Sequence, residues 1–331
     1  MNRWRMGAAW LAAMLVGAAH AADSPVEAQS RALERAHTAV VGLRTSAIDG
    51  ARSASTLGRE RQGSGVVIGD AGLVLTIGYL VLEADEVELL DDDERVIPAR
   101  VVGYDVATGF GLVQALAPLA GQPVPLGDPA RLGKEDSLVV MSGGGICAAR
   151  LVSRRPFAGY WEYAVDGALF TSPPHATHSG AGLFNLDGEL LGIGSLAVND
   201  AAGPGERLPG NMFVPVDLLK PILAELRERG ASRASERAWI GVNCIERDGE
   251  IRVMRVSDDS PADVAGLQRG DRIVRIDGAE VKQLGELWKR LWSGSSAERA
   301  VKLDIERDGK RETITVQSFD RSKTLARSSG I

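Results

Sequence analysis

The chain has 331 residues, with 38 Lys and Arg against 44 Asp and Glu, and a formal net charge of -6. Because a typical domain has about 150 residues, this length predicts two domains. The acidic excess argues against a broad nucleic-acid-binding surface, which needs concentrated positive charge. Two cysteines are too few for a disulfide scaffold. Acid–base or metal chemistry through imidazole must use one of only four histidines, namely His20, His37, His175 and His178.

Residues 1–21 predict a secretory signal peptide. The basic residues Arg3 and Arg5 precede an apolar stretch, 7–19, that is too short to span a bilayer, and Ala19-His20-Ala21 fits the small-x-small cleavage pattern. We therefore expect an exported protein. Cys147 and Cys244 lie in different predicted domains, which favours two free, buried thiols, although an oxidising compartment would also permit a disulfide.

Residues 22–35 predict an N-terminal helical segment, because Pro25 lies near its start and charges follow at helical spacing. The next region, 36–229, alternates short runs of Val, Ile and Leu with Gly, Pro and Asp turns, which is typical of a β-barrel or sandwich. Its acidic run, 91–94, lies between two predicted strands and is interpreted as a solvated turn rather than a cation site. The predicted strands are 39–44, 65–68, 73–76, 86–90, 95–103, 111–114, 137–140, 150–153 and 189–194.

The pattern changes after an amphipathic helix predicted at 216–229, which Pro221 interrupts. Small polar residues at 230–237 predict a linker. Strands then recur at 251–256, 272–276, 301–306 and 312–316, with a helix at 284–291, so residues 238–319 predict a small α+β domain. Residues 320–331 lack periodicity and predict a polar tail.

A specific motif occupies residues 260–278. It reads SPADVAGLQRGDRIVRIDG and resembles the S-P-A-x-x-A-G-L-x-x-G-D-x-I-x-x-I-x-G core of bacterial PDZ domains. The resemblance implies that the loop beginning at Trp239 cradles a peptide's C-terminal carboxylate and that the following strand receives the peptide by β-augmentation. The facing helix would form the other wall of the groove, or its apolar side chains would only pack the core. The candidate peptide-binding residues are Trp239, Ile240, Gly241, Val242, Leu287, Trp288 and Leu291.

A second set of motifs lies upstream. It comprises QGSGVVI at 62–68, DAGLVLT at 70–76, ARVVGYD at 99–105, LGD at 126–128, SG at 179–180 and NLDGELLGI at 185–193. In this order, ahead of a PDZ-like segment, the motifs resemble the HtrA/DegP family of periplasmic proteases. The resemblance covers about residues 36–318 and implies a mainly β fold. That fold is a trypsin-like double six-stranded β-barrel followed by one small α+β PDZ domain.

The catalytic positions of the family are only partly kept. The family's T-N-x-H-V-V, T-D-L-A-L and G-N-S-G-G-P-L segments appear here as TIGYLV at 76–81, TGFGL at 108–112 and THSGAGL at 177–183. The resemblance therefore places Tyr79 at the catalytic base, Gly109 at the orienting Asp and Ser179 at the nucleophile. Only the nucleophile of the Ser-His-Asp triad is retained.

The two replacements remove groups that the chemistry needs. A serine hydroxyl is a poor nucleophile until a base takes its proton, and a phenol with an ordinary pKa near 10 stays protonated. Loss of the base removes most of the roughly 10⁶-fold contribution of a triad in a subtilisin-like enzyme. The oxyanion loop, Thr177, His178 and Ser179, also departs from the family because a threonine replaces a glycine. His175 or His178 would act as a base only after an unusual fold-back.

These residues favour an exported, periplasmic HtrA-like pseudoprotease that binds peptide C-termini or unfolded proteins through its PDZ domain in envelope protein quality control. The alternative is an active serine endopeptidase that uses Ser179 with an unconventional base. A third hypothesis is a barrel that senses a small molecule, or a metal through His175 and His178. No cofactor or metal site is indicated by spacing, and no nucleic-acid partner or membrane span is expected. The resemblance also implies a homotrimer or a mixed oligomer with an active relative.

Overall fold

A computed structural model describes residues 24–326. The predicted signal peptide, 1–21, and the end of the predicted tail, 327–331, lie outside the described residues. Helix α1 (Pro25–Thr38) begins with a capping box, in which Ser24 Oγ accepts from the Glu27 amide and the Glu27 carboxylate accepts from the Ser24 amide. Among residues 24–326, no helix is long and apolar enough to span a bilayer.

The first barrel closes in the strand order β1-β2-β3-β6-β5-β4. Its strands are β1 (Val40–Ala47), β2 (Glu60–Gly69), β3 (Leu73–Ile77), β4 (Ala84–Leu90), β5 (Val96–Tyr104) and β6 (Phe110–Ala115). Two short helices, α2 (Ala54–Leu57) and α3 (Gly78–Val81), follow β1 and β3. The acidic run 91–94 lies in the connection between β4 and β5, as predicted.

The second barrel closes in the order β10-β11-β12-β9-β8-β7. Its strands are β7 (Ser137–Ser142), β8 (Gly145–Ala158), β9 (Ala164–Ser172), β10 (Gly182–Phe184), β11 (Leu190–Val198) and β12 (Gly210–Pro215). One cluster of buried side chains runs between the barrels, from Leu75 and Leu89 to Phe170 and Phe184. The predicted double six-stranded barrel is confirmed, and it includes three strands, β9, β10 and β12, that the sequence did not reveal.

The chain leaves the second barrel through two short helical pieces. A 3-10 turn at Val216–Leu218 and helix α4 (Leu223–Arg229) flank Pro221, which has no amide hydrogen to continue one helix. The stretch that follows is held against the first barrel, because the side chains of Ser232 and Ser235 donate hydrogen bonds to the buried Asp105 carboxylate.

The remaining residues form a separate small unit of sheet and helix. Its sheet has the order β14-β15-β16-β18-β19, with β17 paired to β16, while β13 and β20 pair with each other. The strands are β13 (Ala238–Trp239), β14 (Val242–Arg247), β15 (Glu250–Val256), β16 (Arg272–Ile276), β17 (Ala279–Glu280), β18 (Ala300–Arg307), β19 (Lys310–Gln317) and β20 (Phe319–Asp320). The helices are α5 (Pro261–Val264) and α6 (Leu284–Trp292). This confirms the predicted α+β unit.

Both cysteines are free thiols. Cys244 is buried in the core of the small unit, and burial raises its pKa. Cys147 is only partly buried. The expectation of two buried thiols is therefore wrong for Cys147, which lies in β8 beside the turn from β7.

Candidate functional site

Two local features bring Tyr79 and Ser179 together. Tyr79 lies in α3, and Arg61 Nη1 holds this turn by donating to the Tyr79 carbonyl oxygen at 3.0 Å. Ser179 lies in the loop between β9 and β10, where its carbonyl oxygen accepts from the Ser64 amide at 2.9 Å. Gly180 has a φ of 74°, and a Cβ there would lie 2.0 Å from the Ser64 carbonyl oxygen. Only glycine therefore permits this close approach of the loop to the first barrel.

The Tyr79 phenol meets the Ser179 hydroxyl directly. Tyr79 Oη lies 2.8 Å from Ser179 Oγ and 2.8 Å from the carbonyl oxygen of the buried Ser195. A carbonyl oxygen only accepts, and a phenol has one hydrogen to donate. Both contacts are satisfied together when Tyr79 donates to the Ser195 carbonyl and Ser179 donates to the phenol oxygen. In that arrangement the serine proton points at a neutral acceptor.

The environment makes the deprotonated form of this phenol scarcer than that of an ordinary tyrosine. Burial raises the pKa of Tyr79 to about 12, although the hydrogen bond with Ser179 acts in the opposite direction. A general base works best when its pKa lies near the ambient pH. A phenol with this raised pKa is poorly suited to accept the proton of Ser179 at physiological pH.

Gly109 lies just before β6, and the space beside it is already filled. Its φ is 84°, and a Cβ there would lie 2.7 Å from Tyr163 Oη. The Tyr163 hydroxyl donates to the Thr108 carbonyl oxygen at 2.7 Å, and burial raises the pKa of Tyr163. The Gly109 carbonyl oxygen accepts from the Gly78 amide at 2.7 Å, which ties this backbone to the residue before Tyr79.

Asp105 is the carboxylate nearest to Gly109 in the chain, and its hydrogen bonds go elsewhere. It accepts from the amide and hydroxyl of Thr108, from the amide and hydroxyl of Ser232 and from the hydroxyl of Ser235. Burial alone would raise the pKa of Asp105, but these donors outweigh it and the pKa is lowered. Asp105 thus anchors the connection at 230–235 instead of orienting a catalytic base.

The two loop histidines form their hydrogen bonds with residues other than Ser179. His175 Nε2 lies 2.9 Å from Ser142 Oγ and 3.0 Å from Thr177 Oγ1. Burial lowers the pKa of His175, and His178 acts in the same direction. His178 Nδ1 lies 3.2 Å from the Ala176 carbonyl oxygen and donates to it. Thr177 is exposed and does not take a positive φ.

The loop that follows Trp239 holds a carboxylate supplied by the chain itself. The amides of Ile240, Gly241 and Val242 all donate to the Glu162 side chain, at distances between 2.7 and 3.3 Å. Glu162 is 5% exposed and lies in the β8–β9 connection of the second barrel. These three amides are the group that the sequence assigned to a peptide carboxylate. Trp239 itself pairs with Phe319 of β20.

The helix residues assigned to the other wall of the groove are fully buried. Leu287, Trp288 and Leu291 belong to the core of the small unit, together with Leu284. This spacing places one apolar stripe of α6 on the sheet. Trp288 also reaches the second barrel, because its Nε1 donates to the Gly159 carbonyl oxygen at 3.0 Å.

Comparison with known proteins agrees with this architecture. Residues 63–193 match the trypsin-like peptidase domain, and residues 238–317 match the PDZ domain. The chain is 29% identical over 294 residues to a putative serine protease HhoA of Synechocystis sp., covering 78% of this chain and 70% of that protein. It is 30% identical over 292 residues to a probable periplasmic serine endoprotease DegP-like of Marinomonas sp., covering 78% of this chain. The chain belongs to the HtrA/DegP-like family.

The HtrA-like chain spans just over half the length of its DegP-like relatives, 57% for the Marinomonas protein and 53% for one from Brucella suis. Solved structures share its fold. The HtrA-type protease AlgW with tripeptide superposes with a TM-score of 0.53 at 20% identity, covering 88% of this chain and 97% of that one. The serine endoprotease from Yersinia pestis gives a TM-score of 0.52 at 20% identity, covering 90% and 99%.

Two residues of this HtrA-like chain were missed by the sequence analysis, Glu162 and Tyr163. The first binds the loop amides and the second fills the space beside Gly109. One signal was available: the segment 157–163 reads FAGYWEY and holds four aromatic residues, in a chain whose aromatic content is 5%. Such clustering between two strands points to a contact surface, because aromatic side chains are enriched at interfaces.

Proposed function

We propose that this HtrA-like chain is a pseudoprotease, whose trypsin-like domain does not hydrolyse peptide bonds. The observation that carries the proposal is the 2.8 Å contact between Tyr79 Oη and Ser179 Oγ, at which a protonated phenol takes the place of a base. Gly109 has no side chain to orient a base, and Asp105 and His175 are engaged elsewhere. A nucleophile without a base keeps at most the residual catalysis that binding and an oxyanion hole provide.

The second part of the proposal is that the PDZ domain binds peptide C-termini or unfolded proteins in periplasmic quality control. Three amides converging on one carboxylate support it, since a carboxylate is the group that a peptide C-terminus presents. Solved structures of the HtrA-type protease AlgW contain a tripeptide or a decapeptide. The relatives named as periplasmic endoproteases support the compartment. Assembly as a homotrimer, or with an active relative, belongs to the same proposal.

Purified protein incubated with unfolded casein and with a serine-reactive fluorophosphonate tests the first part. We expect no casein cleavage above background and no covalent labelling, and we expect Ser179→Ala to behave like the wild type. An active DegP-like relative serves as the positive control. Stoichiometric labelling of Ser179, with casein cleavage that Ser179→Ala abolishes, would instead establish the active endopeptidase with an unconventional base.

A further inference from the structure

The β8–β9 connection crosses from the second barrel into the groove of the PDZ domain. We call residues 158–162 the docking segment. The Cys244 amide donates to the Tyr160 carbonyl oxygen at 2.6 Å, and Trp161 and Asn243 are antiparallel bridge partners. Strand β14, which contains Asn243 and Cys244, is the edge strand of its sheet. The docking segment thus adds a short antiparallel strand to that edge.

The opposite side of the docking segment contacts α6. Trp288 Nε1 donates to the Gly159 carbonyl oxygen at 3.0 Å, and Ala158 packs against the core of the PDZ domain. A peptide that binds by β-augmentation needs an edge strand, a facing wall and an anchor for its end. The docking segment occupies the edge strand and the facing wall, and its last residue, Glu162, occupies the anchor.

Glu162 supplies the anchor through its side chain. The docking segment runs antiparallel to β14 toward the loop, where the Glu162 carboxylate accepts from the amides of Ile240, Gly241 and Val242. A bound peptide would present its main-chain carboxylate to the same three donors. Two carboxylates cannot share these amides, because the donors are already used and like charges in one buried site repel.

We propose that the docking segment is a built-in competitor for the PDZ groove, so that a peptide with a free C-terminal carboxylate binds only when Glu162 leaves the loop. This inference rests on the proposed peptide-binding function and adds the occupant that regulates it. The apparent affinity for peptide is then reduced by the fraction of molecules in which the groove is open.

Burial disfavours the charged form of the docked Glu162 carboxylate. Burial raises the pKa of Glu162 to about 7, although Arg321 and the three amides act in the opposite direction. Burying a charge therefore offsets part of what the hydrogen bonds contribute. These opposing contributions, burial and hydrogen bonding, support a contact between Glu162 and the loop amides that can open.

Opening would also reach the trypsin-like domain. Tyr163 follows Glu162 directly, and its hydroxyl holds the Thr108 carbonyl oxygen beside Gly109. Displacement of the docking segment would therefore move Tyr163, which fills the space beside Gly109, the position of the family's orienting Asp. The PDZ groove and the surroundings of Tyr79 are linked through two adjacent side chains.

The test compares full-length wild type with Glu162→Gln, using a fluorescent decapeptide that ends in an apolar residue. We expect Glu162→Gln to bind the free-carboxylate peptide about ten-fold tighter or more, because both oxygens of Glu162 accept from the loop amides, whereas the NH2 group of Gln cannot accept a hydrogen bond. The same peptide with a C-terminal amide should bind both proteins weakly. Asp166→Asn removes an exposed carboxylate from β9 and should change the affinity less than two-fold.

Hydrogen exchange at residues 240–242 separates the two ways in which the test can fail. We expect exchange there to be faster in Glu162→Gln than in the wild type. Unchanged exchange, or equal peptide affinity in the two proteins, would overturn the competitor. Faster exchange with no peptide binding to either protein would remove the peptide-binding function, and the competition with it.

A reversible lock tests the same point without weakening the contact. Trp161 and Asn243 are bridge partners, and paired strand positions lie within the Cα separation that a disulfide spans. The double variant Trp161→Cys/Asn243→Cys, verified by mass spectrometry, should lose peptide binding on oxidation and regain it on reduction. Peptide binding by the oxidised form that equals the reduced form would overturn the proposal.

Discussion

The trypsin-like site and the PDZ loop are both filled by side chains of the chain itself, with different chemical consequences. At Ser179 the occupant is the Tyr79 phenol, which replaces a base with a group that keeps its proton. At the PDZ loop the occupant is the Glu162 carboxylate, which is the same chemical group as a peptide terminus. In the proposed function the first site is inactive, whereas the second keeps three amide donors for a carboxylate and is covered by Glu162.

This difference determines what would restore each activity. Under the proposed function, catalysis would need new residues at positions 79 and 109, and the fold resists a side chain at position 109 because Tyr163 occupies the space. Recovering an open groove needs only a movement of the docking segment. The first barrier is therefore one of sequence, and the second is a conformational equilibrium whose size can be measured.

The largest expected effect is on stability, at Gly109, where the family has its orienting Asp. Gly109→Asp should lower the free energy of unfolding by about 3 kcal/mol, because it combines a positive φ with a clash against Tyr163. Urea unfolding measures this cost. Gly309→Asp is the matched control, since Gly309 has a φ of 74° with nothing within 4 Å. A cost as small as that of the control would show that the position still accepts a carboxylate.

Adding Tyr163→Phe to Gly109→Asp sharpens the same prediction. The substitution removes the Oη atom nearest the new Cβ, so the double variant should recover about 1 kcal/mol relative to the sum of the single costs. Strict additivity in a double-mutant cycle would mean that Tyr163 does not oppose a side chain at position 109.

The next largest effect concerns the carboxylate that the barrel has kept. Asp105→Asn should cost about 2 to 3 kcal/mol at pH 7, because it weakens the acceptor for five donors, three of which belong to Ser232 and Ser235 and hold residues 230–235. The pKa of Asp105 is lowered, so its contribution is present above the unfolded pKa and is lost as the pH falls through the folded one. Urea unfolding at pH 7 and at pH 3 should show the gap closing in acid, while Asp93→Asn in the exposed β4–β5 turn shows no gap.

Much of the fold follows from local sequence patterns. Strands β1 to β8 and β11 alternate clear runs of Val, Ile and Leu with turn residues, and the motif at 260–278 fixes the second unit. The missed strands lack such runs. Strand β9 contains Asp166-Gly167, which resembles a turn, β10 has only three residues, and β12 includes Gly210, Asn211 and Pro215. Barrel closure supplies their partners, and that is information from distant parts of the chain.

The candidate site divides in the same way. Resemblance pointed to Tyr79 and Ser179, and the structure brings these two side chains into contact. Glu162 could not be assigned, since its role depends on a contact with amides that lie 78 to 80 positions later in the chain. The interpretation of 230–237 as a linker likewise could not include the contact with Asp105, because Asp105 lies more than 120 positions away from Ser232 and Ser235 in the chain.

The pH dependence of peptide binding tests whether Glu162 occupies the PDZ loop. Because burial raises the pKa of docked Glu162 to about 7 from an ordinary 4.5, docking takes up a proton and weakens as the pH rises through 7. The charged and titratable groups that interact with Glu162 here are Arg321 and Cys244, and burial raises the pKa of the Cys244 thiol. The wild type should therefore bind peptide up to about ten-fold tighter at pH 8 than at pH 6. A flat profile in Glu162→Gln, measured by fluorescence anisotropy, is the matched result, and an equal slope in both proteins would contradict the assignment.

The smallest effect separates the carboxylate in the loop from the general charge of the hairpin. Lys289 Nζ lies 3.1 Å from Asp166 Oδ1, and both side chains are more than half exposed, so this bridge between α6 and the second barrel contributes at most about 0.5 kcal/mol. Lys289→Gln should change peptide affinity less than two-fold, and the small change should vanish in high salt. An effect as large as that of Glu162→Gln would mean that surface charge, and not the three loop amides, holds the docking segment in the groove.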